Sequence, residues 1–207
     1  MNLPVVSGKP LKKNSERHPE VSLMINKIVY SSVQSPLGDM IAGATDKGIC
    51  FLEWHDRGGV ERILSRVEKR YKKPLEENVS EHLLKLQNEL DNYFDGTLSG
   101  FEVPIDVNGT EFENIVWSEL LNIPYAETRS YGEIALELGK PGASRAVGRA
   151  NGSNYLSIVI PCHRVIESNG KLRGYGGGLK RKKYLLDLEF KNFSRLNSMK
   201  SKVSYKM

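Results

Sequence analysis

The run Pro161-Cys162-His163-Arg164 is the part of this sequence best equipped for chemistry. Thiolate is the nucleophilic form of cysteine, and an adjacent histidine and arginine favour it. A lone cysteine is more often a small buried hydrophobe. Cys50, inside GICFLEW with no charge beside it, fits that plainer description, and Cys162 does not. Further on, Leu185 and Leu186 stand four and three residues before Glu189, so Glu189 projects from or beside an apolar helix face. A carboxylate there must be paired or solvated. Histidine is a natural partner, and a Glu–His–Cys relay would activate the thiol. Spacing alone favours the other option, a solvated glutamate at a fraying helix end.

The elements that must position these residues fall into two groups. IVYSSV, MIAGAT and ICFLEW, separated by turn sequences, predict a small antiparallel meander. Val60, Ile63, Leu64 and Val67 keep helical spacing, as do Leu83, Leu86, Leu90 and Phe94. Ser80 suits the start of the second helix and Gly96 its end. FEVPIDV, with its proline, predicts an edge strand or a linker. The expected fold is therefore α+β with two domains. A flexible lead-in (1–26) precedes an N-terminal α/β scaffold (27–100). A mainly helical C-terminal domain (107–190) and a basic tail (191–207) follow. The tail has little hydrophobic pattern and is expected to be disordered, adding nonspecific nucleic-acid affinity.

Charge divides along the same line. Residues 1–124 hold 14 lysines and arginines against 19 acids, whereas residues 125–207 hold 16 against 6. A polyanion-binding face on the second half would account for this, and so would a solvated lysine-rich surface. After a helix from about Glu111 to Leu121, Ser130 and Glu133 form a capping box. Tyr131, Ile134, Ala135 and Leu138 then share one helix face. Gly139 ends that helix, and Pro141 suits the first turn of the next. Ala143, Ala146, Val147 and Ala150 line one side of this second helix, with Arg145 and Arg149 on the other. This is a helix-turn-helix whose small side chains, Ala146 and Gly148 among them, allow close approach to DNA. An ordinary helical hairpin with solvated arginines is the competing interpretation. LSIVI predicts a short apolar strand that Pro161 halts, leaving Cys162 at the mouth of the core.

IPCHRV, preceded by SYGEIA and RAVGRAN and followed by GYGGG and a leucine-rich helix ending in Glu189, resembles the O6-alkylguanine-DNA alkyltransferases. The resemblance runs from Ser35 to Glu189. It implies DNA repair by a single, irreversible transfer of an alkyl group from O6 of guanine to Cys162, with O4 of thymine an open second substrate. By the same resemblance, His163 would deprotonate Cys162 through a water, with Glu189 orienting the histidine. Asn154 would brace the active-site turn, and Tyr131 would give a proton to the leaving guanine. Arg145 would fill the space left when the damaged nucleotide rotates out of the duplex. Tyr131, Ala146, Gly148 and Arg149 would contact DNA. Ile160, Val165, Tyr175, Gly176 and Gly177 would line the base pocket. Two alternatives stay open: a Cys–His hydrolase and a noncatalytic module that binds alkylated DNA.

The sequence departs from the family pattern in places. Tyr155 replaces a proline common after the asparagine, and Gly176 stands where some relatives carry a larger residue, which predicts a more open pocket. Thr45 falls near a zinc-ligand position of some relatives, but no cluster with ligand spacing exists, so neither metal nor cofactor is expected. The expected partner is double-stranded DNA bound by a monomer. A hydrophobic fraction of 39% and a mean hydropathy of -0.41, without a bilayer-length apolar run, argue against a membrane partner. No secretory leader is visible and only two cysteines occur, so a reducing cytoplasm is the expected location.

Overall fold

The computed structural model describes residues 27–203, and side chains as far as Arg195. The expected lead-in, 1–26, lies outside the described residues. Three antiparallel strands open the described residues: β1 (Ile28–Val33), β2 (Met40–Thr45) and β3 (Gly48–Trp54). Helix α1 (Val60–Tyr71) follows, then a short strand β4 (Leu75–Glu77) that pairs parallel to β1. The sheet order is β3-β2-β1-β4, so the sheet is mixed where an antiparallel meander was expected. LEE escapes sequence reasoning because three charged or half-buried residues carry no alternation.

Every residue of β2 and β3 is buried, because the sheet is covered on both sides. Helix α2 (Glu81–Asp95) packs against it, burying Leu83, Leu86, Leu90 and Tyr93. Each fully buried side chain of this size contributes about 1.5–3 kcal/mol. Ser80 caps α2 by accepting from the Leu83 N–H, and Gly96 closes it in the left-handed conformation, both as expected. Phe94 is only half-buried, and Tyr93 takes the inward position instead. Gly43 in β2 is small because a Cβ there would lie 2.1 Å from the Phe51 ring on β3.

FEVPIDV forms a linker with one isolated bridge, Ile49 to Ile105. Beyond it α3 (Glu111–Leu121) has the expected bounds and a capping box from Thr110 and Glu113. Strand β5 (Arg129–Ser130) leads into α4 (Tyr131–Glu137), whose predicted Ser130–Glu133 capping box forms in both directions. Helix α5 (Ser144–Gly152) completes the helix-turn-helix. Pro141 lies in the turn before α5 and not in its first turn, because Gly139 and Gly142, both at positive φ, stretch the connection. The Trp117 indole N–H donates to the Ala150 carbonyl over 2.8 Å, fastening α3 to α5.

LSIVI is not a strand. Leu156 makes one bridge to Leu52, and the next residues turn tightly, with Ile158 at a φ of 71°. An apolar run is equally compatible with a buried turn, and here side-chain hydrogen bonds decide. A one-turn 3₁₀ helix (Cys162–Arg164) follows, then β6 (Val165–Ile166), which pairs parallel with β5. Helix α6 (Leu179–Val203) ends the described chain. It runs unbroken through residues expected to form a disordered tail, since the helix begun by LKRKKYLLDLE meets no proline or glycine that would stop it. Among the described residues no helix is long and apolar enough to cross a membrane.

Candidate active site

Asn154 organises the turn that presents the cysteine. Its Oδ1 accepts from the Leu156 N–H at 2.9 Å, while its Nδ2 donates to the Ile160 carbonyl and to Cys162 Sγ, each at 3.0 Å. This buried amide thus satisfies the turn's backbone and offers a proton to the sulfur. The turn is also laced to β3: Leu52 N–H donates to the Tyr155 carbonyl and Ser157 N–H to the Leu52 carbonyl. The Tyr155 hydroxyl accepts from the Asn108 N–H, which gives the residue standing in for proline its own anchor.

Cys162 is 5% exposed. Burial pushes its thiol up from the ordinary value, opposed by the Asn154 amide and then by the charges of Arg57 and Lys182. Arg164 does not supply the expected cation. It points away from the sulfur, with its Nε 3.0 Å from Glu189 Oε2 and its Nη2 3.0 Å from Glu189 Oε1, while Nη1 donates to the Ile123 carbonyl.

Glu189 is fully buried, so the solvated glutamate favoured by spacing is excluded. His163 Nε2 lies 2.8 Å from its Oε1, the Tyr93 hydroxyl donates to the same oxygen, and the Ala126 N–H donates to Oε2. Burial would raise the carboxyl, but the hydrogen bonds and charges of His163 and Arg164 bring it down to about 2. An ionised Glu189 requires the proton on Nε2 of a neutral His163, which leaves Nδ1 as an acceptor. That Nδ1 is buried and meets no hydrogen-bond partner in the protein. Burial lowers the proton affinity of His163, with Glu189 pulling the other way. At rest the pair is therefore neutral imidazole beside neutral thiol, not a standing ion pair.

The remaining predicted residues take distinct places. The parallel pairing of β5 with β6 sets Arg129 opposite Val165 and Ser130 opposite Ile166, with Tyr131 following at the start of α4. The Tyr131 hydroxyl donates to the Arg173 carbonyl at 3.2 Å, and burial together with the Cys162 charge raises its phenol. Gly148 on α5 packs against the Tyr131 ring. Arg145 and Arg149 are exposed on α5, Ala146 is half-buried, and Val147 and Ala150 are buried. Val165 and Ile160 are buried, and the edge of the Tyr175 ring meets His163 at a centroid separation of 6.4 Å. The Tyr175 hydroxyl and the Trp54 indole N–H lie side by side, both buried and neither in hydrogen-bond geometry with a protein partner.

The glycines do not open the pocket as the sequence suggested. A Cβ on Gly176 would stand 2.4 Å from the Arg57 guanidinium, and one on Gly177 2.3 Å from Trp54 Nε1. Both are pressed against residues from the first half of the chain. Arg57 also donates to the carbonyls of Asn154 and Gly152, each at 2.9 Å, and pairs with buried Glu53. Lys182 is buried on the inner face of α6, where its Nζ donates to the Val165 and Arg173 carbonyls. Burial brings its ammonium down to about 8.

Trp54, Arg57, Tyr93 and Lys182 were all missed by sequence reasoning. Lys182 had a signal, since it shares helical spacing with Leu185 and Glu189. Tyr93 was passed over because helical spacing assigned the inward position to its neighbour Phe94, and Trp54 and Arg57, at the end of β3 and in the turn beyond it, had no signal.

Comparison with known proteins divides the chain as the fold does. Residues 28–107 match the ribonuclease-like domain of 6-O-methylguanine DNA methyltransferase, and residues 111–191 match its DNA-binding domain. A methylated-DNA–protein-cysteine methyltransferase of Methanosarcina acetivorans is 41% identical over 161 residues, covering 77% of this chain and 97% of that protein. The Mycobacterium tuberculosis protein of the same name is 59% identical over 102 residues, 49% of this chain and 62% of the relative. The match therefore spans about three fifths of the length of that mycobacterial relative. The crystal structure of M. tuberculosis O6-methylguanine methyltransferase superposes with a TM-score of 0.69 at 40% identity, covering 80% of this chain and 94% of that one. The same mycobacterial protein in complex with DNA gives a TM-score of 0.68 at 40% identity over 79% of this chain and 94% of that one.

Proposed function

This chain belongs to the 6-O-methylguanine-DNA methyltransferase family, and we propose that it repairs alkylated DNA by moving an alkyl group from O6 of guanine to its own Cys162. The observation that carries this reading is a buried thiol held by Asn154 beside a histidine whose far nitrogen is locked to an ionised Glu189.

The sequence of events follows from those contacts. Cys162 starts as a neutral thiol. His163 Nδ1 takes its proton through a water, and Glu189 stabilises the imidazolium that forms. The Asn154 amide steadies the developing thiolate. Sulfur attacks the alkyl carbon, the S–C bond forms, and the bond from carbon to guanine O6 breaks. Tyr131 gives its proton to the departing base and recovers one from the imidazolium side, so the thiol's proton ends on guanine. The thioether that remains has no route to hydrolysis, so each molecule acts once.

Because Cys162 lies inside the fold, the lesion must come to it. Duplex DNA is the proposed partner, gripped by α4 and α5, with Arg145 and Arg149 facing outward toward it. Arg145 replaces the extruded nucleotide in the stack. The base then sits among Val165, Tyr175, Gly176 and Gly177, with unsatisfied polar groups of Tyr175 and Trp54 nearby. Residues 27–100 act as the unit that backs the acceptor unit, 107–190. The protein works as a monomer in the cytoplasm without a cofactor.

The test is an intact-mass measurement after incubation with duplex carrying O6-methylguanine. A gain of one methyl on the peptide containing Cys162 is expected. DNA binding with unchanged mass would mark a noncatalytic lesion binder, and a modification lost with time would mark hydrolase chemistry.

A further inference from the structure

Glu189 is held by a residue from the other half of the chain. Tyr93 on α2 is separated from it by 96 positions, yet its hydroxyl donates to Glu189 Oε1 at 2.7 Å. His163 Nε2 reaches the same oxygen at 2.8 Å. Tyr93 is 1% exposed, and its ring is wedged among Phe94, Phe101 and Tyr125 at centroid distances of 5.4, 5.5 and 6.1 Å. The hydroxyl is thus fixed on one acceptor.

We propose that Tyr93 is a positioning residue for alkyl transfer, whose hydroxyl orients the Glu189 carboxylate and sets how strongly it draws the proton of His163. This inference rests on the reading that His163 and Glu189 serve as the base for Cys162. Arg164 Nη2 reaches the same oxygen at 3.0 Å, and donors sharing one oxygen compete for its negative charge, so each weakens the pull on the others. Burial and the Glu189 charge hold the Tyr93 phenol well above its ordinary range, which keeps it a donor. The other groups facing the pair are Arg164 on the 3₁₀ turn, Lys182 on α6, Tyr125, Cys162 and Tyr175. Of these Tyr125 packs on the Tyr93 ring, a contact that phenylalanine at position 93 keeps. The first half of the chain, which looks like a passive scaffold in sequence, then tunes the chemistry across the interface.

The sign follows from the competition. Without the phenol, Oε1 accepts more strongly from His163 and stabilises its imidazolium. The histidine then stays protonated, and unable to take the thiol's proton, up to a higher pH.

The experiment measures single-turnover methyl uptake by the full-length chain from methylated duplex across a pH series, beside thermal melting of each variant. Tyr93→Phe should move the acid limb of the rate profile up by about one unit, the size expected for one hydrogen bond to a charged group. Incorporating 3-fluorotyrosine at position 93, which keeps the ring and strengthens the donor, should move it the opposite way. That substitution decides the matter alone if the phenylalanine variant does not fold. A lowered melting temperature with an unmoved acid limb in both would overturn the proposal and leave Tyr93 a packing residue. Glu189→Gln separates the two levels. If it alters the profile while both changes at 93 do not, only the Tyr93 inference falls. If it too leaves the profile intact, the reading of His163 and Glu189 as the base falls, and the role of Tyr93 with it.

Discussion

Cys50 and Cys162 are withdrawn from solvent almost equally, at 0% and 5% exposure, and burial pushes both thiols above the ordinary value. Their neighbours differ. Cys50 lies in β3 among apolar side chains, and after burial the largest influence on it is the Asp106 carboxylate, which disfavours a thiolate further. Cys162 sits on an irregular turn, where one amide proton points at the sulfur and two cations, Arg57 and Lys182, lean on it. Regular sheet consumes its polar groups in the ladder and has none left to aim at a side chain. The turn instead relies on Asn154 for its backbone, and the same amide serves the sulfur. In the proposed function, reactivity follows the polar atoms arranged around a thiol, not its exposure.

Removing each sulfur gives the largest contrast. Cys162→Ala should accept no methyl group from lesion-bearing duplex while still binding it, whereas Cys50→Ala should accept a full equivalent. Mass spectrometry and a gel-shift titration check both. Next in size is the relay. His163→Gln should slow methyl uptake by roughly 100- to 10,000-fold, the usual range for a lost general base, and bring Cys162 close to the inertness of Cys50. A rate within threefold of the parent would remove His163 from the mechanism.

The same relay predicts how stability depends on pH. The Glu189 carboxyl is depressed from 4.5 to about 2 by folding, so its contribution is complete above 4.5 and disappears as pH falls through 2. Its size is on the order of 3 kcal/mol. His163 is also held below its ordinary 6.5, so the unfolded chain binds that proton first and stability begins to drop below 6.5. Urea midpoints should therefore fall in two stages on acidification. Glu189→Gln should flatten the lower stage, at a cost near neutrality of about 3–5 kcal/mol, because it leaves Arg164 buried without its anion. Cys50→Ala should leave both stages in place.

Much of the scaffold around Cys162 is legible in the residues. The bounds of α3, the Ser130–Glu133 box and the caps of α2 all rest on local rules that tertiary packing did not override. LSIVI was misread because apolar composition reports burial and not backbone conformation, and the left-handed turn at Ile158 is held by Asn154 from outside the run. The contacts that distinguish Cys162 from Cys50 are mostly long-range. Arg57 reaches Asn154 across 97 positions, and Tyr93 reaches Glu189 across 96. Periodicity cannot see such pairs. Arg164 shows the opposite hazard, since a cation adjacent in sequence to the cysteine turns out to serve the glutamate.

Arg57 offers the smallest and most discriminating change. It acts on Cys162 in two ways, as a charge and as a fork that grips the Asn154 and Gly152 carbonyls. Its side chain is 18% exposed, so solvent and salt weaken the charge effect. Deleting it alone would leave buried Glu53 with only the exposed Arg66 as its cation, so Glu53→Gln is made together with Arg57→Met, and Arg57→Lys restores the charge without the fork. The double variant should alkylate at Cys162 with iodoacetamide about threefold more slowly than the parent at low salt, corresponding to ~0.7 kcal/mol. High salt should shrink that gap if charge is responsible. Arg57→Lys should then recover most of the rate, and Cys50 should stay unlabelled throughout. If Arg57→Lys is as slow as the double variant at every salt concentration, the fork matters and the charge does not, because what Cys162 gains from the first half of the chain is then the position of Asn154.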